Sequence, residues 1–114
     1  MGKTVKEIAW LAGLLEGEGC FSFSGKPRIQ LIMTDRDTVE WAATLMNVRC
    51  TGPYARKQPN RLVVYQTIAC GRRAAGWMMT VLPLLGSRRA KKVVEVLREY
   101  KSRPTHPSTP YRYG

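Results

Sequence analysis

Acidic residues are scarce in this sequence: eight Asp and Glu stand against nineteen Lys and Arg in 114 residues, a formal charge of +11. A surface so short of acid attracts polyanions, which makes nucleic acid the first partner to consider. Histidine occurs once, at His106, and the three cysteines, Cys20, Cys50 and Cys70, are widely spaced with no C-x-x-C pair. That argues against a zinc site and against a disulfide framework. Each cysteine falls at the edge of a strand-like segment, where a small buried thiol is the ordinary role. An intracellular setting, cytoplasmic or organellar, is the corresponding expectation. No apolar run approaches the roughly eighteen residues of a membrane span. The stretch from Met1 to Leu15 carries Glu7 and is unlike a signal peptide, so no membrane partner is expected.

With 44% hydrophobic residues, the chain has enough apolar material for one modest core. The expected organisation is a single domain over 1–101 and a Pro-rich basic tail over 102–114 that holds Pro104, Pro107 and Pro110. Val5, Ile8, Ala9, Leu11, Ala12 and Leu15 recur at helical steps over Thr4 to Glu16, with Thr4 and Glu7 spaced as a capping box. Residues 20–24 and 28–34 alternate as two strands, and Asp35 to Asn47 returns to helical spacing. Residues 49–57 and 61–70 are strand-like around Gln58-Pro59-Asn60, and a helix over 72–85 precedes a final basic helix over 88–101. This is an α+β fold, with a four-stranded antiparallel, saddle-like sheet in αββαββα order, helices on one face and an extra C-terminal helix.

Residues 11–19 read LAGLLEGEG, directly after Trp10 and directly before a strand. This segment resembles the nine-residue motif of the LAGLIDADG homing endonucleases, with identity at Leu11, Ala12, Gly13, Leu14 and Gly19 and conservative replacement at Leu15, Glu16 and Glu18. The element order is similar over nearly the whole chain up to the tail, as are Met33-Thr34-Asp35 and Leu82-Pro83. The resemblance implies a homodimeric, site-specific double-stranded DNA endonuclease, active in intron homing. Such an enzyme makes a Mg2+-dependent phosphodiester cut at a long pseudo-palindromic site, with Mn2+ or Ca2+ as substitute ions. It also implies that Glu18, at the eighth motif position, is the metal-binding acid. Asp35 is implied to lie near the cleavage centre, and Arg88 or its neighbour Arg89 near the scissile phosphate, with Arg88 preferred. Asp35 has an equal claim to be a helix N-cap.

The motif has its own physical logic. Gly13 and Gly17, four residues apart, lie on one helix face and let a second backbone approach. Only one motif is present, so the second helix must come from another copy. Leu11, Ala12, Gly13, Leu14, Glu16 and Gly17 form the expected dimer interface. Two copies of Glu18 brought together would repel one another, and a divalent cation such as Mg2+ relieves this while serving phosphodiester hydrolysis. Glu16, on a different helix face from Glu18, is expected to be structural.

The polar face of the sheet supplies the second constellation: Ser22, Ser24, Lys26, Arg28 and Gln30 on the first hairpin, and Arg56, Gln58, Arg61, Tyr65 and Thr67 on the second. None of these positions is acidic, and a β-ribbon with Arg, Gln and Ser suits the DNA major groove. Two rival functions share the sequence. One is a catalytically silent member of the same fold, acting as an intron-RNA splicing cofactor or a DNA-binding regulator. The other is a small RNA-binding structural protein with no need of Mg2+.

Overall fold

The protein is described here by a computed structural model covering residues 3–55 and 62–102. Helix α1 (Val5–Glu18) starts on the expected capping box: the Thr4 side chain accepts from the Glu7 amide at 3.1 Å, and Glu7 Oε1 accepts from the Thr4 amide at 3.0 Å. Leu11 and Leu15, both fully buried, fix which side of α1 faces the core. Trimming either to Ala would cost about 2–5 kcal/mol.

The helix runs two residues beyond the expected Glu16 and passes straight into strand β1 (Gly19–Phe23) with no intervening residue. Gly19 makes that junction possible. A Cβ there would stand 2.8 Å from Leu15 Cδ2 and 2.9 Å from the Leu15 carbonyl oxygen, inside contact distance.

Strand β2 (Pro27–Met33) returns antiparallel to β1, and helix α2 (Arg36–Met46) follows, capped by Asp35 and closed by Asn47 in the left-handed conformation at φ 59°. Short polar Asn tolerates this conformation better than most residues. Strands β3 (Cys50–Ala55) and β4 (Val63–Cys70) complete a sheet of order β1-β2-β4-β3, antiparallel throughout. Helix α3 (Gly71–Val81), a single 3-10 turn over Leu82–Leu84 and helix α4 (Ser87–Ser102) end the described chain. The helix expected over 72–85, with its stop near Pro83, ends at Val81, because Pro83 cannot continue the α-helical bonding.

One sheet face and the helices share a single core. Phe21, Ile29, Leu31 and Ala69 of the sheet pack with Leu11 and Leu15 of α1, Val39, Leu45 and Met46 of α2, Met78 of α3 and Val93 of α4. The other sheet face is uncovered by helices, as the alternation requires. No described helix is long and apolar enough to cross a membrane.

Candidate catalytic corner and nucleic-acid interface

Two segments far apart in sequence meet at the C-terminal end of α1. The Gly86 amide, just ahead of α4, donates to Glu16 Oε1 at 2.8 Å. Arg89 Nε donates to the Glu16 carbonyl at 3.0 Å, and Arg89 Nη1 donates to the Gly19 carbonyl. A carboxylate at the start of one helix and a guanidinium on the last carbonyls of another both suit the helix dipoles. The two contacts weld α1, β1 and α4 into one corner. Of the neighbouring arginines, Arg89 is engaged in this joint, whereas Arg88 is exposed.

Glu18 is exposed at the same corner and has no hydrogen-bond or ion-pair partner among the described residues. No group of three or more His, Cys, Asp or Glu side chains suited to a metal ion occurs among them. A single outward carboxylate fits a hard divalent cation as a partial donor set, with the remaining oxygens supplied from outside the chain. Asp35 acts as the N-cap of α2. One carboxylate oxygen accepts from the Thr38 hydroxyl at 2.8 Å and the other from the Thr38 amide at 3.5 Å.

The expected dimer face needs correction. Leu11 is 0% and Ala12 1% exposed, Leu14 is packed against the core and Glu16 is committed to Gly86. These four side chains serve the chain's own fold. The open stripe of α1 is instead Ala9, Trp10, Gly13 and Gly17, with Glu18 at its end. A Cβ on Gly13 or Gly17 would meet nothing within 4 Å, so packing within the chain does not require either glycine. Trp10, 38% exposed, lies beside Trp41, 42% exposed, with ring centroids 6.5 Å apart. The four-residue spacing of Ala9, Gly13 and Gly17 was a signal for this stripe, and Trp41 carried none.

The outward sheet face is built of cross-strand rows. Ser22, Arg28 and Cys70 form one, Cys20, Gln30 and Ile68 the next, and Ile32, Gln66 and Thr51 a third. No acid interrupts them. Gln30 Nε2 donates to Gln66 Oε1 at 2.8 Å, and Arg28 Nε is buried without a partner among the described residues. Ser22, Arg28 and Gln30 therefore lie where the alternation puts them, and Ser24 and Lys26 are exposed in the turn beyond.

On the second hairpin the parity is reversed. Tyr65 and Thr67 face the helices. Thr67 is 1% exposed, with its hydroxyl donating to the Arg49 carbonyl at 2.8 Å, and Tyr65 packs against the core under the Arg36 guanidinium at 5.8 Å. Gln66 and Ile68 take the outward places. Arg56, Gln58 and Arg61 lie outside the described residues. Two cysteines expected to be buried, Cys20 and Cys70, are exposed at the sheet surface, while Cys50 is half-buried.

No family model and no curated protein sequence matches the chain. Solved structures do. The homing endonuclease I-CvuI in complex with its target in the presence of 2 mM Ca is similar at TM-score 0.63 and 15% identity, over 84% of this chain and 66% of that one. I-CvuI with the I-CreI target in 2 mM Mg, its DNA not cleaved, gives 0.59 at the same identity and coverage. The group I intron-encoded homing endonuclease I-CeuI complexed with DNA gives 0.56 at 14% identity, over 89% of this chain and 56% of that one.

The chain has the LAGLIDADG homing-endonuclease fold. It spans just under two thirds of the length of I-CvuI and a little over half that of I-CeuI. Within that fold, the motif helix of this chain is α1, and the uncovered sheet face is the one carrying Arg28, Gln30 and Gln66.

Proposed function

We propose that the protein is a homodimeric, site-specific, metal-dependent endonuclease for double-stranded DNA, cutting at a long pseudo-palindromic site. The observation that carries this is the open stripe of α1: two glycines with no neighbour for a Cβ, ending at an unpartnered glutamate. Gly costs about 1 kcal/mol relative to Ala inside a helix. Two such residues on an exposed face are explained by a second helix seated against them, and another copy of the chain supplies one. Crossing there brings two Glu18 carboxylates together over the DNA.

Glu18 would hold a divalent ion, Mg2+ by preference and Mn2+ or Ca2+ as substitutes. Such an ion, when bound, supplies an activated water and charge neutralisation at the phosphate. Exposed Arg88 would stabilise negative charge on the scissile phosphate, and as an arginine it does not act as a base. Asp35 retains lone pairs beyond its capping bonds and orients water at the sheet end. Arg28 has free donors for guanine acceptors, and the Gln30–Gln66 couple leaves one amide oxygen and one amide nitrogen for a base edge. Ser22, Ser24 and Lys26 continue that surface towards the turn, and Arg56, Gln58 and Arg61 are assigned to DNA contact by their residue types alone.

The neighbours in fold are complexes with DNA, which favours duplex DNA over RNA as the substrate. The test is cleavage of the DNA flanking the gene's own insertion point, with and without Mg2+, by the native protein and by Glu18→Gln. Binding without cutting by the variant is expected. Equal cutting by both proteins would overturn the reading.

A further inference from the structure

At the far end of α1 from Glu18 lies a cleft of about 560 Å3, lined by Lys3 and Ile8 near the start of α1 and by Arg72, Arg73, Gly76, Trp77 and Thr80 along α3. Ile8 and Glu18 are ten residues apart on one helix, about 15 Å along its axis. The cleft therefore stands apart from the catalytic corner. Three cations and no acid line it. Neither arginine has a hydrogen bond or ion pair among the described residues, and both are exposed.

Helix α3 adds to the positive character. Its first turn holds no acid, and its N-cap, Cys70, makes no side-chain hydrogen bond, so the first amides are open to an anion. The nearest acid in sequence, Glu7, is turned back onto the Thr4 amide. Beside the cations the wall is apolar and includes a half-buried indole, Trp77, next to Gly76.

We propose that this cleft binds a nucleotide unit, with Arg72, Arg73 and Lys3 on the phosphate and Trp77 against the base. A bare phosphate would use the cations and leave the aromatic wall idle. Fully paired duplex would offer the phosphates but no base face to the indole. Phosphate contacts combined with an aromatic platform are the chemistry that recognises an unpaired nucleotide. Two sources carry that chemistry, a free mononucleotide and an unpaired position in a strand. The inference goes beyond the endonuclease reading and does not depend on it.

The test uses the full chain and a short fluorescein-labelled oligothymidylate, read by anisotropy. Arg72→Ala/Arg73→Ala should weaken binding by about tenfold or more, since it removes two phosphate contacts on an exposed surface. Trp77→Phe should weaken it less, and Trp77→Leu more. Because Trp77 also packs on the core, the arginine pair remains decisive if the leucine variant does not fold. Arg28→Ala, on the sheet, should weaken oligothymidylate binding less than the arginine pair does, while lowering affinity for duplex.

Displacement by thymidine monophosphate identifies a free nucleotide as the ligand, and binding of the strand without such displacement identifies the unpaired strand. Both outcomes support the site. Unchanged affinity in the double arginine variant, displacement by inorganic phosphate as effective as by the nucleotide, or a loss with Arg28→Ala as large as with the arginine pair would each overturn it.

Discussion

The backbone amide of Gly86 donates to Glu16 Oε1 at 2.8 Å, across seventy positions of sequence. Glu16 thereby caps α4 in the way an Asp or Ser at an N-cap would, but from another helix. Glu16→Ala leaves that amide without its partner and should lower unfolding free energy by about 1 kcal/mol, measured by urea denaturation. Arg89→Met removes two charge-assisted donors from the same joint. It should cost more, about 2–3 kcal/mol, while Arg88→Met leaves stability within about 0.5 kcal/mol. An Arg88 variant as unstable as the Arg89 variant would contradict the separate roles.

Gly13→Ala has two effects of opposite sign. The added methyl meets nothing within the chain, so the monomer should gain about 0.5–1 kcal/mol from helix propensity. In the proposed dimer the same methyl stands where the second α1 approaches, so sedimentation should show a shift from dimer to monomer. Gly17→Val should dissociate the dimer further. A dimer unaffected by both substitutions would place the interface elsewhere.

Gln30 and Gln66 should act as a unit in DNA recognition. Each single substitution to Ala is expected to cost about 1–3 kcal/mol of binding to the cognate duplex. Their double-mutant cycle should show a coupling of about 0.5 kcal/mol or more, because each orients the other. Thr67→Val, by contrast, should leave DNA affinity unchanged and lower stability by about 1 kcal/mol through loss of its bond to Arg49.

Much of the fold was legible because its signals are local. The Thr4–Glu7 box, the Asp35 cap and the terminal Asn47 are each decided within a few residues, and all three stand where the spacing puts them. The first hairpin was legible because Phe21, Ile29 and Leu31 are apolar where Ser22, Arg28 and Gln30 are polar. The second was not. Its polarity runs against its burial, since Thr67 is hidden with its hydroxyl satisfied by a backbone carbonyl while Ile68 lies on the outward face. The bulge between Thr51 and Tyr54 further breaks the alternation that sequence parity relies on.

The open stripe of α1 was blurred for a related reason. Leu11, Ala12, Leu14 and Leu15 are all apolar, and only tertiary packing says which of them are taken. Glu18 was singled out by its match to the eighth motif position, and its side chain is exposed at the end of that stripe.

Cysteine reactivity offers an independent check on the sheet. Burial raises the Cys50 thiol pKa, assisted by the nearby Glu40 carboxylate and opposed in part by Arg36. Less thiolate forms at Cys50 at a given pH, so iodoacetamide near pH 8 should modify Cys20 and Cys70 first and Cys50 last. Raising the pH should narrow the gap. Peptide mapping by mass spectrometry reads the order, and early labelling of Cys50 would contradict the placement of β3.

Glu18 and Gly19 are adjacent, so the proposed cutting group and the first residue of the sheet are joined by a single peptide bond, one residue ahead of outward-facing Cys20, at a position where only glycine fits. In an endonuclease so built, the stagger of the two nicks is gauged by the protein frame itself. Exchanging side chains on the outward rows would then retune which bases are preferred and leave the offset from the severed bond where it was.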